Sequence, residues 1–157
     1  MTLIIGSLII ALSALAIAGE LVARVEASVR STSALRSVLE HTKNMIDCYS
    51  LPSDEILRRV DRSVLLGCGY EKDDTPKSFS ALLDGSDIKD PESRDIFFAF
   101  AKDFGKSFRV DELSRCSLYL ERIRAREQKM VKEAQKKKRV IYTVAVCSAL
   151  AVIILLI

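Results

Sequence analysis

Two apolar segments without a charged residue frame this chain and constrain what it can fold into. The first is Thr2–Gly19, and the second, Val140–Ile157, has eighteen residues and no proline. As a helix rising about 1.5 Å per residue, the second segment is about 27 Å long, close to the thickness of a hydrocarbon core of about 30 Å. We therefore expect a transmembrane helix at each end, with one domain between them.

The charged residues all lie between the two apolar segments, and they are unevenly distributed. Residues 129–139 carry six basic groups and one acid, whereas residues 20–128 carry eighteen basic groups and twenty acids. The formal net charge of +3 therefore comes from a short basic stretch, which argues against a nucleic-acid-binding domain. We name five of its residues the basic collar and expect them to orient the second helix and to contact membrane lipid. These are Lys132, Lys136, Lys137, Lys138 and Arg139.

The first apolar segment has a second interpretation, a cleaved signal peptide, because residues 16–18 read Ala-Ile-Ala like a cleavage site. No Lys or Arg precedes the apolar run, however, and the nearest cations, Arg24, Arg30 and Arg36, all follow it. The positive-inside rule then keeps the middle domain in the cytoplasm and both termini outside, and the basic collar favours the same topology. Small residues at Gly6, Ser13 and Gly19 form an edge on which another helix could pack.

The middle of the chain reads as helices separated by proline, glycine and aspartate. Apolar residues recur at three- and four-residue steps from Val25, and Pro52 ends that helix. A second helix capped by Ser53 or Asp54 is expected to run to Gly67. The further expected helices are a short one around Phe79 and Leu82, one starting at Pro91 with Asp90 as its cap, and a long one from Asp111 to the C-terminus.

No stretch alternates between apolar and polar residues with a period of two, so essentially no sheet is expected. The sequence predicts an all-α, membrane-tethered helical bundle of five to six helices with an N-terminal and a C-terminal transmembrane helix. The predicted divisions are a transmembrane helix over 1–23, a cytoplasmic bundle over 24–128, a basic juxtamembrane stalk over 129–139 and a transmembrane helix over 140–157.

The sequence offers little that could carry chemistry. His41 is the single histidine, and the four cysteines have no C-x-x-C spacing, so we expect ordinary buried thiols and no metal site. Gly105-Lys106-Ser107 matches the end of a phosphate-binding loop, but Phe100 stands where that motif requires glycine. We predict no catalytic, cofactor-binding or metal-binding residue and no small-molecule substrate.

The plan of the chain resembles the stage III sporulation protein AB family of endospore-forming bacteria. The resemblance rests on the two-span frame, on Leu51-Pro52, on Phe97–Gly105 (FFAFAKDFG) and on Leu118–Glu127 (LYLERIRARE), followed by the basic collar. Where the family tends to have Asp after its Gly-x-Ser step this chain has Phe108, and where it tends to have Gln in the next helix it has Glu112.

The resemblance implies a fold and a function. The soluble part of the family looks like the six-helix cytoplasmic domain of the platform protein of type II secretion and type IV pilus machines. The resemblance also implies a location in the mother-cell membrane during sporulation. The expected neighbours there are a cytoplasmic secretion-type ATPase encoded in the same sporulation cluster and channel-forming sporulation membrane proteins.

On that basis we expect a non-enzymatic platform component that docks the ATPase through the loops Tyr70–Pro76 and Asp84–Pro91. The expected contact residues are Asp73, Asp74, Asp87 and Asp90. Two alternatives stay open. One is a platform subunit of a type II secretion or pilus machine outside sporulation, and the other is a membrane-tethered scaffold or regulator without a secretion partner.

Overall fold

The protein is a chain of α-helices. The computed structural model describes residues 2–49, 51–106 and 108–156, and it describes the backbone alone for residues 2–5, 7–11, 153, 155 and 156. Within these ranges there are six helices and no β-strand, which confirms the predicted all-α class. The helices are α1 (Thr2–Tyr49), α2 (Ser53–Arg58), α3 (Arg62–Gly67), α4 (Phe79–Gly85), α5 (Pro91–Asp103) and α6 (Arg109–Leu156).

The predicted helix from Ser53 to Gly67 is wrong, because the structure divides it into α2 and α3. The break follows from tight i to i−3 hydrogen bonds at the end of α2, where the Arg59 amide donates to Ile56 and the Val60 amide to Leu57. Asp61 then starts α3 by accepting a hydrogen bond from the Ser63 amide at 2.8 Å. Pro52 occupies the N-cap position of α2 without a side-chain hydrogen bond, so the predicted Ser53 or Asp54 cap is also wrong.

The remaining helix boundaries follow the sequence signals closely. Asp90 caps α5 and Pro91 is its first residue, as predicted. Ser78 caps α4, its hydroxyl accepting from the Ala81 amide at 3.1 Å. The last helix begins at Arg109, two residues before the predicted Asp111.

The chain divides into two compact units, each of which takes part of α1 and part of α6. We call Met1–Ala27 with Val131–Ile157 the helix pair, and Ser28–Met130 the bundle. The bundle contains α2 to α5 together with the remaining parts of the two long helices.

The bundle has a core of large apolar side chains contributed by every one of its described helices. Three phenylalanines at its centre, Phe79, Phe97 and Phe100, are at most 2 % exposed. Their rings meet edge-on or tilted, with centroids 5.0 to 6.2 Å apart, a geometry that aromatic rings favour. Phe104, the C-cap residue of α5, joins them with its ring centroid 4.7 Å from that of Phe79 and packs against the core. Aliphatic residues complete the core: Leu35, Val38, Leu39, Ile56, Leu57, Leu82 and Ile123.

The helix pair buries small residues and exposes large ones. Among its described side chains, the buried ones are those of Ala18, Val22 and Ala145. Gly19 is exposed, and a Cβ built on it or on Gly6 meets nothing within 4 Å, so the edge through these glycines is not packed against the other helix of the pair. The large apolar residues exposed among the described side chains of this unit are Leu12, Leu15, Ile17, Leu21, Val131, Val140, Tyr142, Val144, Val146, Leu150 and Ile154.

Within the described residues, no helix has an apolar stretch long enough to cross a bilayer. The predicted spans extend over side chains that lie outside the described set, at positions 2–5, 7–11, 153 and 155–157.

Candidate functional site

The two loops predicted to contact a partner lie side by side in the bundle. Tyr70 forms an isolated antiparallel bridge with Ser86, and the Asp87 amide donates to the Gly69 carbonyl at 3.2 Å. Gly69 has a φ of +81°, and a Cβ there would stand 2.8 Å from the Asp87 backbone nitrogen. Only glycine fits this close approach without strain, so Gly69 is what allows the loops to meet. We call the joined segments Tyr70–Pro76 and Asp84–Pro91 the loop surface.

Three of the four predicted contact carboxylates are exposed on the loop surface. Asp73 lies fully in solvent, with Arg62 3.9 Å away. The Tyr70 hydroxyl donates to Asp74 at 3.2 Å, and the Asp87 carboxylate pairs with Lys89. The sequence therefore located accessible acids in two loops whose backbones the fold joins.

Asp90, the fourth predicted contact residue, requires a correction. It is only 6 % exposed, and its carboxylate accepts hydrogen bonds from Arg126 at 2.6 and 3.0 Å. The same carboxylate caps α5 by accepting from the amide and the hydroxyl of Ser93, at 2.8 and 2.7 Å. The hydrogen bonds from Arg126, followed by those from Ser93, lower the pKa of Asp90 to about 2. Because its oxygens are bonded inside the bundle, Asp90 is not accessible as a contact residue.

A buried polar network extends from Asp90 to three helices. The hydroxyls of Ser93 on α5 and Thr32 on α1 lie 2.9 Å apart, and Thr32 also donates to the Met130 sulfur at 3.4 Å. Thr32 and Ser93 are completely buried, so each hydroxyl needs these partners. The network thus ties α1, α5 and α6 together at one place in the bundle. The cap signal at Asp90 was readable in the sequence, whereas Arg126, 36 residues further on, was not.

The basic collar divides into two kinds of residue. Lys138 donates to the Glu26 carboxylate at 2.9 Å, which joins the two helices of the helix pair and raises the pKa of Lys138. The other four members are exposed, and no ion pair to a described residue engages them. The sequence predicted the same role for all five collar residues, because Glu26 lies 112 positions from Lys138 and their ion pair leaves no local sequence pattern.

Glu112, which the sequence shows only as a departure from the family pattern, has a structural role in the bundle. It is 6 % exposed, and its Oε1 accepts hydrogen bonds from the amides of Gly105 and Lys106, both at 3.1 Å. These are two of the amides that a phosphate-binding loop would need for its ligand. In the Gly105-Lys106-Ser107 segment, the amides of Gly105 and Lys106 therefore already donate to the Glu112 carboxylate.

The cysteines fall into two pairs rather than one buried class. Cys68 and Cys116 are buried, and burial raises the pKa of each thiol to about 12. A thiol that stays protonated is a poor nucleophile and a poor metal ligand. Cys48 and Cys147 are exposed, which corrects the prediction that all four are buried. Among the described residues no group of three or more His, Cys, Asp and Glu could hold a metal ion.

Comparison with known proteins identifies a family. No curated protein and no solved structure matches the chain. A family model described as stage III sporulation protein AB matches residues 77–157, which include α4, α5 and α6. The FFAFAKDFG and LYLERIRARE segments lie inside this match, whereas Leu51-Pro52 lies outside it. Since the match covers more than half of the 157 residues, the chain belongs to the stage III sporulation protein AB family, and its role is related to sporulation.

Proposed function

We propose that this protein is a non-enzymatic membrane platform component of a sporulation secretion-like channel complex. In this role the helix pair lies in the mother-cell membrane and the bundle lies in the cytoplasm, where it docks a secretion-type ATPase. Other channel-forming sporulation membrane proteins are its partners in the bilayer. The family match supports the sporulation context over a secretion or pilus machine outside sporulation.

The observation that carries the membrane part of the proposal is the distribution of side chains in the helix pair. Leu15, Ile17 and Leu150 are 45 to 61 % exposed, while Ala18 and Ala145 are at most 7 % exposed. In water such a pair would leave its most apolar atoms in solvent, an unfavourable arrangement. In lipid the same distribution is favourable, because small residues let helices approach closely and large ones face the acyl chains.

The loop surface supports the docking part. Asp73, Asp74 and Asp87 are exposed acids of two loops that the Tyr70–Ser86 bridge joins. An acidic surface of this kind favours association with a partner that presents basic residues, by complementarity and by steering of the encounter.

A topology map tests the membrane part. Reporters inserted in the loop Asp84–Pro91 and fused after Ile157 are expected to lie on opposite sides of the membrane, the loop reporter in the cytoplasm. A loop reporter found outside the cytoplasm contradicts both the orientation and the partnership with a cytoplasmic ATPase.

A pull-down with the ATPase of the same sporulation cluster tests the docking part. The double variant Asp73→Lys with Asp87→Lys changes one acid in each loop and is expected to weaken ATPase recovery about tenfold or more, since like charges at an interface cost several kcal/mol. The matched control is Asp95→Lys with Glu121→Lys, which reverses two exposed acids elsewhere in the bundle. Equal recovery with both double variants would exclude the loop surface.

Gly69→Ala provides a second test that leaves every charge in place. The new Cβ forces the Gly69 and Asp87 backbones apart, so ATPase recovery is expected to fall. Gly105→Ala is the control, because Gly105 has a similar φ of +80° but open space around its Cβ position. Backbone strain alone affects both variants, whereas separation of the loops affects only the first.

A further inference from the structure

The residues of the basic collar lie on different faces of α6, a distinction that the sequence alone does not show. Lys132, Lys136 and Arg139 are spaced by four and three residues on α6, so they lie on one face of the helix. Ile141, which is half-buried, follows Lys132 by about two and a half turns and thus lies on the opposite face. These three cations therefore point away from the helix on which α6 packs in the helix pair.

Lys138 lies on the packed face. It precedes the buried Ala145 by seven residues, about two turns, and its ammonium group reaches Glu26 on the neighbouring helix at 2.9 Å. Its charge is thereby paired inside the helix pair, while no described acid pairs with Lys132, Lys136 or Arg139.

We propose that Lys132, Lys136 and Arg139 form a binding surface for anionic phospholipid headgroups, and that Lys138 instead closes the helix pair through Glu26. The proposal rests on the membrane location proposed above. The ligand is identified by charge: three unpaired cations on one helical face attract phosphate-bearing headgroups and discriminate against zwitterionic ones. Each cation near an anionic surface contributes about fivefold in affinity, so the three together contribute on the order of a hundredfold.

The test uses the full chain purified in nonionic detergent and a labelled short-chain phosphatidylglycerol as the probe. Lys136→Gln is expected to raise the dissociation constant about fivefold, and the triple variant Lys132→Gln, Lys136→Gln, Arg139→Gln on the order of a hundredfold. Lys138→Gln removes the same single charge as Lys136→Gln, yet it is expected to leave the dissociation constant unchanged. Phosphatidylcholine and inorganic phosphate in place of the probe are expected to bind weakly to every variant.

Lys138→Gln has its own readout, the thermal unfolding midpoint of the helix pair, which is expected to fall. The exchanged pair Glu26→Lys with Lys138→Glu is expected to restore that midpoint. Lys136→Gln and Lys138→Gln weakening lipid affinity equally would overturn the proposal, because net charge alone would then explain both. So would tight binding of inorganic phosphate at the same residues.

Carbonate extraction of cells expressing the unaltered chain distinguishes failure of the proposed function from failure of the lipid surface alone. Release of the unaltered chain from membranes contradicts the proposed function, and with it the lipid surface. Retention in membranes together with a headgroup affinity that is insensitive to the triple variant contradicts the lipid surface alone.

Discussion

The bundle and the helix pair share two long helices and follow opposite packing rules. In the bundle Phe97, Phe100 and Leu39 are at most 1 % exposed, whereas in the helix pair Ile17 and Ile154 are 61 and 73 % exposed. Burial of large apolar groups is the main source of stability for a domain in water, but it supplies no driving force between helices in lipid. The same two long helices thus bury large apolar side chains in the bundle and expose them in the helix pair.

The largest expected effect lies in the core of the bundle. Phe100→Ala removes a ring that contacts Phe79, Phe97 and Phe104, and it is expected to lower the free energy of unfolding by about 3 to 5 kcal/mol. Phe98→Ala on the same helix, at a ring that is 56 % exposed, is expected to cost about 0.5 kcal/mol or less. Urea denaturation followed by the near-ultraviolet circular dichroism of the tyrosines measures both. Similar losses at the two positions would contradict the assigned core.

The next effect concerns the polar network of the bundle. Asp90→Ala removes the cap of α5 and two of the hydrogen bonds of Arg126, which keeps its ion pair with Glu92, so the free energy of unfolding is expected to fall by about 2 to 3 kcal/mol. Asp87→Ala, at an exposed aspartate of the same loop, is the control and is expected to change stability by about 0.5 kcal/mol or less. The same urea titration gives both values, and a loss confined to Asp87→Ala would refute the network.

The Asp90–Arg126 pair also predicts a pH dependence. Its folded-state pKa of about 2 lies below the ordinary value of 3.8, so the unfolded chain binds more protons between these values. The stabilisation is therefore complete above about pH 4 and is lost as the pH falls towards 2. Asp90→Asn is expected to flatten the pH dependence of the unfolding midpoint in this window.

The helix pair is expected to respond to size in the opposite way from the bundle core. Ala18→Leu enlarges a position that is 3 % exposed and is expected to destabilise the pairing by about 1 to 3 kcal/mol. Ile17→Leu, one residue away and 61 % exposed, leaves the pairing unchanged. Spin labels at the exposed positions Ala23 and Lys137 report the pairing as a distance distribution in detergent. Equal broadening in both variants would show that close approach at Ala18 is not what holds the helices together.

The sequence predicted the features that depend on local chemistry. Pro91 after Asp90 specifies a helix start, and the three- to four-residue apolar steps specify a buried face, in each case through neighbouring residues. The missed features depend on pairs far apart in the chain. The Arg126–Asp90 and Lys138–Glu26 contacts join residues 36 and 112 positions apart, and the α2–α3 break depends on how two short helices fit the core. Because the sequence pattern is local, it identified Asp90 as a helix cap but not as the hydrogen-bond partner of Arg126.

The smallest effect distinguishes buried from exposed ion pairs within the bundle. Arg59 and Glu55 lie 2.9 Å apart on one turn of helix, but both side chains are more than 40 % exposed, in contrast to Arg126 at 15 %. Water and salt screen such a pair, so Arg59→Ala is expected to cost about 0.2 to 0.5 kcal/mol and to lose that effect at high ionic strength. The Arg126–Asp90 pair lies deeper, and its contribution is expected to persist in high salt. Urea titrations of Arg59→Ala and Asp90→Ala at low and high salt compare the two directly. If salt removed the Asp90 effect as readily as the Arg59 effect, exposure would not determine what an ion pair contributes in this bundle.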